Sequence, residues 1–176
     1  MPMIVNRTNM RERKLISIEN TNFIFRTNFS GDPERDTFGS DARRANIIIP
    51  DPDMAMDLRN EGFNVKETKP RDDEEEFIPT YFVAIGVNYD SNWPPKIYLV
   101  SGDAEPVLLD EESVNSLDMC RVRNVDVVLN PYENTRTGRK SLYVRTMYVV
   151  QDIDDDPFAS RYRRRNNEDD DGTLPF

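Results

Sequence analysis

The side chains of this chain best suited to chemistry are aromatic rings set beside arginine or lysine. Arg26 precedes Phe29, Lys96 lies two residues before Tyr98, and Arg139, Lys140 and Arg145 surround Tyr143. Arg43 and Arg44 are adjacent, Arg121 and Arg123 alternate, and Tyr132 and Arg136 share the stretch PYENTRTG, while Trp93 sits beside two prolines. A flat ring offers a face on which a base can stack, and a neighbouring cation can follow a phosphate backbone; sequence-tolerant binding of a single nucleic-acid strand needs both. A ring in an alternating strand is more often core than platform, so Phe23, Phe25, Phe82 and Tyr148 are assigned to the core. Tyr98 and Tyr143 stand between the two roles, and Trp93 suits covering a core edge as well as stacking.

Catalysis has little to work with. Histidine is absent, although it is the commonest general base and metal ligand near neutral pH. The seven glycines form no phosphate-cradling loop and no nucleophile elbow, and no carboxylates pair in a catalytic motif. One cysteine, Cys120, excludes an intrachain disulfide and reads as a small buried residue in a reducing compartment. No enzyme activity, cofactor or metal is expected. No run approaches 18 apolar residues, so no membrane association is expected and the location is cytoplasmic.

The elements that must hold these side chains read as mostly β. Residues 14–29, KLISIENTNFIFRTNF, form one strand with Phe23 and Phe25 on the same face. Arg43 to Ile49 is a second strand, stopped by Pro50. Asp51 caps a helix that has Pro52 at its first position, runs to Asn60 and is closed by Gly62, with Met54, Ala55 and Leu58 inward. A brief strand over Phe63 to Glu67 precedes an acidic loop between Pro70 and Pro79. Thr80 to Tyr89 and Pro95 to Ser101 are strands joined by a tight turn. A short helix capped by Asp110 runs to Met119. Cys120 to Asn130 and Arg139 to Asp152 then make a hairpin with a long, basic, flexible finger. This gives six or seven strands and two short helices without a repeated strand-helix-strand unit. A mostly antiparallel barrel or sandwich follows, and the fold class expected is mostly β, an antiparallel barrel of the oligonucleotide/oligosaccharide-binding (OB) type with long inserted loops, the commonest small all-β fold that presents such loops.

The net charge of −10 is unevenly distributed. Residues 151–176 carry eight acids against four arginines, and Lys66 to Glu76 carries six acids against three bases, leaving the remaining body near neutral. Charge therefore permits a polyanionic ligand. The organisation expected is an N-terminal arm over residues 1–14, a folded domain over 15–152 and a disordered acidic tail over 153–176. Arg161 to Arg165, RYRRR, either pairs with the tail's own acids or adds a phosphate contact.

The tail ends EDDDGTLPF. Leu174 and Phe176 stabilise nothing in a disordered segment, but they suit a small hydrophobic pocket on a partner with a basic rim. This ending resembles the acidic tip of bacterial and bacteriophage single-stranded DNA-binding proteins. Asp169, Asp170 and Asp171 match the acidic run, and Leu174, Pro175 and Phe176 match the hydrophobic end; Gly172-Thr173 is a departure from the pattern. The resemblance implies that the tip docks replication and recombination proteins. Within residues 22–150, Asn28-Phe29-Ser30-Gly31, the segment from Ile47 to Val65, Pro94-Pro95-Lys96-Ile97 and the Arg121 to Pro131 strand resemble phage members of that group in pattern and spacing. They imply an OB barrel that binds single-stranded DNA. A linker of about 20 residues reaches on the order of 25 Å, so the tip could compete with DNA for the body. The rival reading is a protein-interaction adaptor or minor virion component that binds no DNA. The oligomeric state stays open, a homo-oligomer included.

Overall fold

The computed structural model describes residues 14–69 and 77–152. The chain begins with β1 (Ile16–Thr21) and β2 (Phe23–Asn28), followed by a 3-10 turn at Pro33–Arg35 and β3 (Arg43–Ile49). Helix α1 (Pro52–Asn60), β4 (Lys66–Glu67), β5 (Tyr81–Val87), β6 (Lys96–Val100) and β7 (Val107–Leu109) come next. A second 3-10 helix, Ser113–Met119, leads to β8 (Val122–Glu133) and β9 (Lys140–Gln151). The fold is mostly β, as expected, with nine strands among the described residues rather than six or seven.

Hydrogen-bonded neighbours run β1-β8-β9-β5-β3-β2. Because only Asn22 separates β1 from β2, the two ends of this series are one stretch of chain. Its first half pairs with β8 (Ile16 opposite Leu129) and its second half with β3 (Phe23 opposite Ile47). The sheet therefore curls until its first strand serves both edges, which is how an OB-like barrel closes. Polar groups pin the seam: Thr21 Oγ1 donates to the Ile48 carbonyl at 2.6 Å, and Asn22 Nδ2 to that of Val122 at 2.9 Å. Asn20, with φ of 54°, lies where the pairing of β1 with β8 shifts register between Ile18 and Thr21, and the one expected strand divides two residues later at Asn22.

Phe25 also lies in the left-handed region, with φ of 63°, so the alternation expected for Phe23 and Phe25 fails. Phe23 meets Phe29 at 5.2 Å beside the core, whereas Phe25 is 63% exposed and packs edge-on at 5.1 Å over Phe82. Phe25 is therefore not a core residue. Tyr148 is another correction: it projects from β9 between the buried Met147 and Val149 and is 40% exposed.

The core itself follows strand alternation. Ala45, Ile47 and Ile49 of β3 meet Val83, Ile85 and Val87 of β5, and Leu142, Val144, Met147 and Val149 of β9 complete the lining with Val125, Val127 and Leu129 of β8. Helix α1 adds Ala55 and Leu58, and the 3-10 helix adds Val114 and Leu117. The caps read from sequence are in place. Asp51 accepts from the Asp53 N–H at 2.9 Å, and Gly62, with φ of 103°, lets Phe63 N–H reach the Leu58 carbonyl at 3.0 Å. Replacing Asp51 by alanine is expected to cost about 1 kcal/mol in a urea melt, with an unchanged m-value.

The finger is shorter than expected. Pairing continues to Glu133 opposite Lys140, and a hydrogen-bonded turn closes the hairpin, with Asn134 N–H donating to the Arg139 carbonyl at 2.8 Å. Cys120 is half-buried rather than enclosed, and burial raises its thiol pKa. The acidic run Asp72 to Glu76, residues 1–13 and the whole of 153–176 lie outside the described residues, and so do Arg161 to Arg165 and the tip residues Asp169, Asp170, Asp171, Leu174, Pro175 and Phe176.

Candidate nucleic-acid interface

Residues of four neighbouring strands form a row across the barrel. In register, Arg44 of β3 lies opposite Gly86 of β5, Gly86 opposite Tyr143 of β9, and Tyr143 opposite Asn130 of β8. The close approach requires glycine: a Cβ at position 86 would lie 2.8 Å from Tyr143 Cε1, so the tyrosine ring rests over the bare backbone of β5. Tyr132 meets Tyr143 edge-on at 6.1 Å and 78°. Both rings are partly open to solvent, Tyr143 at 37%.

Arg44, Gly86 and Tyr143 of this row line an open groove of about 510 Å³. One end is formed by Asp41 and Ala42 of the β2–β3 loop together with Asn88 to Asp90, and the other by Arg139 and Lys140 at the β8–β9 turn. Five of the expected site residues line it: Arg43, Arg44, Arg139, Lys140 and Tyr143. With Lys66, the lining holds five cations against three acids, Asp41, Asp90 and Glu111. The groove is therefore locally basic on a chain of net charge −10.

The cations are held differently. Arg43 donates to the Phe29 carbonyl at 2.5 Å and to Asn115 Oδ1 at 2.8 Å, approaches Glu111 at 3.8 Å and stands 5.6 Å over the Tyr89 ring. It braces the β2–β3 loop against the 3-10 helix. Arg44 pairs with Asp36, and Lys140 donates to the Glu61 carbonyl at the end of α1 with its ammonium over the Phe63 ring. The Arg139 side chain has no hydrogen-bond or ion-pair partner among the described residues, which leaves it available to an anion. Burial raises the Tyr89 phenol pKa, an effect Arg43 partly opposes, so that ring stays neutral.

The loop at the groove's end hangs from one buried carboxylate. Asp118 accepts from Phe29 N–H at 2.7 Å and Thr27 Oγ1 at 2.9 Å through one oxygen, and from Ser30 N–H at 2.9 Å through the other. Arg35 Nε lies 3.5 Å from it and also donates to the Thr27 carbonyl at 3.1 Å. The cap expected of Asp110 falls short of the same 3-10 helix, whose N-cap is Glu112; Asp110 closes the turn before it, where N–H groups of Ser113 and Glu112 and the Ser113 hydroxyl hold its carboxyl below the usual range.

The remaining expected residues are not gathered here. Phe29 is a correction: it is fully buried in the core, so neither face of its ring is open to a base. Trp93, at 86% exposure on the β5–β6 loop, covers no core edge. Lys96, Tyr98 and Arg145 lie on β6 and β9 beyond the groove. Arg26 is exposed on β2, and Arg121 and Arg123 flank Val122, which pairs with Gln151 at the far end of β9 from Tyr143. Arg136 is in the hairpin turn near Tyr132. Sequence reasoning missed Lys66, Ala84, Gly86 and Tyr89. An isolated glycine within the β-branched run TYFVAIGV was the available signal for Gly86.

A curled OB-like barrel with a groove over β3, β5 and β9 between two loops has the ligand-binding architecture of that fold class. The chain belongs to the phage single-stranded DNA-binding domain family, whose profile matches residues 6–172. Among solved structures it is similar to the single-stranded DNA-binding protein of bacteriophage Enc34 in complex with ssDNA, with a TM-score of 0.48, 12% identity, and 84% of this chain and 90% of that chain covered. It is also similar to gp2.5, the single-stranded DNA-binding protein encoded by bacteriophage T7, with a TM-score of 0.35, 15% identity, and 84% of this chain and 93% of that chain covered. No curated protein matches the chain.

Proposed function

We propose that this chain binds single-stranded DNA without sequence preference in the groove over β3, β5 and β9, during phage DNA replication and recombination in the host cytoplasm. The observation that carries this reading is the row Arg44, Gly86, Tyr143 and Asn130: it sets the open ring of Tyr143 in a locally basic groove, with Tyr132 against that ring at the groove's side. Tyr143 and Tyr132 stack bases. Arg139 and Lys66 meet phosphates directly, and Arg44 does so by exchanging Asp36 for a phosphate. Arg43 and Lys140 act mainly as braces. The chain protects the strand without turning it over.

Family membership supports the ligand, and the acidic tip supports a second role. Leu174, Pro175 and Phe176, after Asp169 to Asp171, are the docking element for replication and recombination proteins. A chain lacking Phe176 that bound those proteins as well as the full chain would remove this second role.

Fluorescence anisotropy with an oligo-dT probe across a salt series tests the groove. Binding is expected to prefer the single strand over duplex competitor and to weaken by about 0.7 log unit per contacted phosphate for each log unit of salt. No binding at low salt would overturn the reading.

A further inference from the structure

The outer face of β9 continues beyond the groove. Leu142, Val144, Met147 and Val149 enter the core, while Tyr143, Arg145 and Tyr148 are exposed. Between Tyr143 and Thr146 the strand exchanges one parallel neighbour for another: Gly86 of β5 lies opposite Tyr143, whereas Lys96 of β6 lies opposite Thr146 and Tyr98 opposite Tyr148. Tyr98 and Tyr148 stack face to face, 4.8 Å apart and 10° from parallel. Lys96 and Arg145 are exposed, and among the described residues neither has a hydrogen-bond or ion-pair partner.

We propose a second contact segment for the nucleic-acid strand: it leaves the groove past Tyr143, follows β9 over Arg145 and Lys96, and stacks on the Tyr98–Tyr148 pair. This extension rests on the groove reading. Five residues of strand separate Tyr143 from Tyr148, about 17 Å, a length that holds at most about five stacked nucleotides. Groove and extension together stay within the range of roughly 4–16 nucleotides occupied by one OB barrel. Two aromatic stations joined by uncommitted cations are what a sequence-tolerant single strand requires. The bland role of the tyrosine pair is to fasten β6 to β9. It explains the stack but gives no role to the two cations beside it. A protein docking here, over Leu108 opposite Tyr98, would have to bury or pair those charges, whereas a polyanion neutralises them.

Anisotropy with fluorescent oligo-dT of about 5 and about 15 nucleotides, the limits set by one barrel, separates the two segments. Tyr98→Leu with Tyr148→Leu keeps an apolar contact between the strands; Lys96→Gln with Arg145→Gln leaves packing untouched. Both double variants should bind the short probe as the parent does. The tyrosine variant should bind the long probe about tenfold more weakly, one stacked base being worth at least that order. The charge variant should lose about 1.4 units of salt slope on the long probe. Unchanged long-probe affinity and salt slope in both variants, with short-probe binding intact, would overturn the extension alone. If the tyrosine variant fails to fold, the charge variant decides. If the parent binds neither probe, the groove reading falls and the extension with it.

Discussion

Replacing Asp118 by alanine is expected to lower folding stability by about 3–5 kcal/mol, a drop of melting temperature on the order of 10 °C for a domain of this size. The carboxylate is almost fully enclosed, at 3% side-chain exposure, and it satisfies two backbone N–H groups and one hydroxyl of the segment Thr27 to Ser30. Removing it orphans the Phe29 and Ser30 N–H groups and leaves Arg35, 16% exposed, without its counter-charge. Asp118→Asn is expected to recover part of the loss. Its amide oxygen can still accept from Phe29 and Thr27, but its NH₂ would face the Ser30 donor. A thermal melt giving the alanine variant the parent's stability would show that the β2–β3 loop is held by something else. Since that loop forms one end of the groove, the alanine variant should also bind oligo-dT more weakly at temperatures where it is still folded.

The largest effect on binding is expected at Tyr143. Tyr143→Ala removes the ring that spans β5 and contacts Tyr132, and should weaken oligo-dT binding by about 1–3 kcal/mol, a 5- to 150-fold rise in Kd. Gly86→Ala tests the same ring from beneath. Its methyl would stand 2.8 Å and 2.9 Å from two Tyr143 carbons, so the ring has to move off the strand. Both variants should lose affinity in the same direction, and their combination should lose little more than the larger single effect, because both act on one ring. Additive losses would place Gly86 and Tyr143 in separate roles.

What was legible in the sequence was the local chemistry. The β3 boundaries follow from a β-branched run stopped by Pro50, and α1 follows from Asp51, Pro52 and Gly62. What was not legible depended on residues far away in the chain. Tyr148 occupies a core-like position by local pattern, and its exposure is decided by Met147 and Val149 pointing inward. Pro131 and Tyr132 look like loop residues, yet β9 supplies a partner strand that carries β8 through to Glu133. The same holds for the site. Arg43, Arg44, Arg139, Lys140 and Tyr143 were individually visible, but the parallel contact of Gly86 with Tyr143 that gathers them joins distant parts of the sequence. Phe29 failed because a ring beside a cation reads the same whether it faces solvent or core.

The double service of the first strand also dictates when the barrel can close. Ile16 waits for Leu129, which leaves the ribosome after roughly a hundred further residues, on the order of 5–20 s later at ordinary rates of synthesis. Until then β1 has no partner for that seam, and the nascent chain presents an open sheet edge. The barrel is therefore completed only by the hairpin that also carries Tyr132 and Tyr143, so the binding face and the closed fold mature in the same late step.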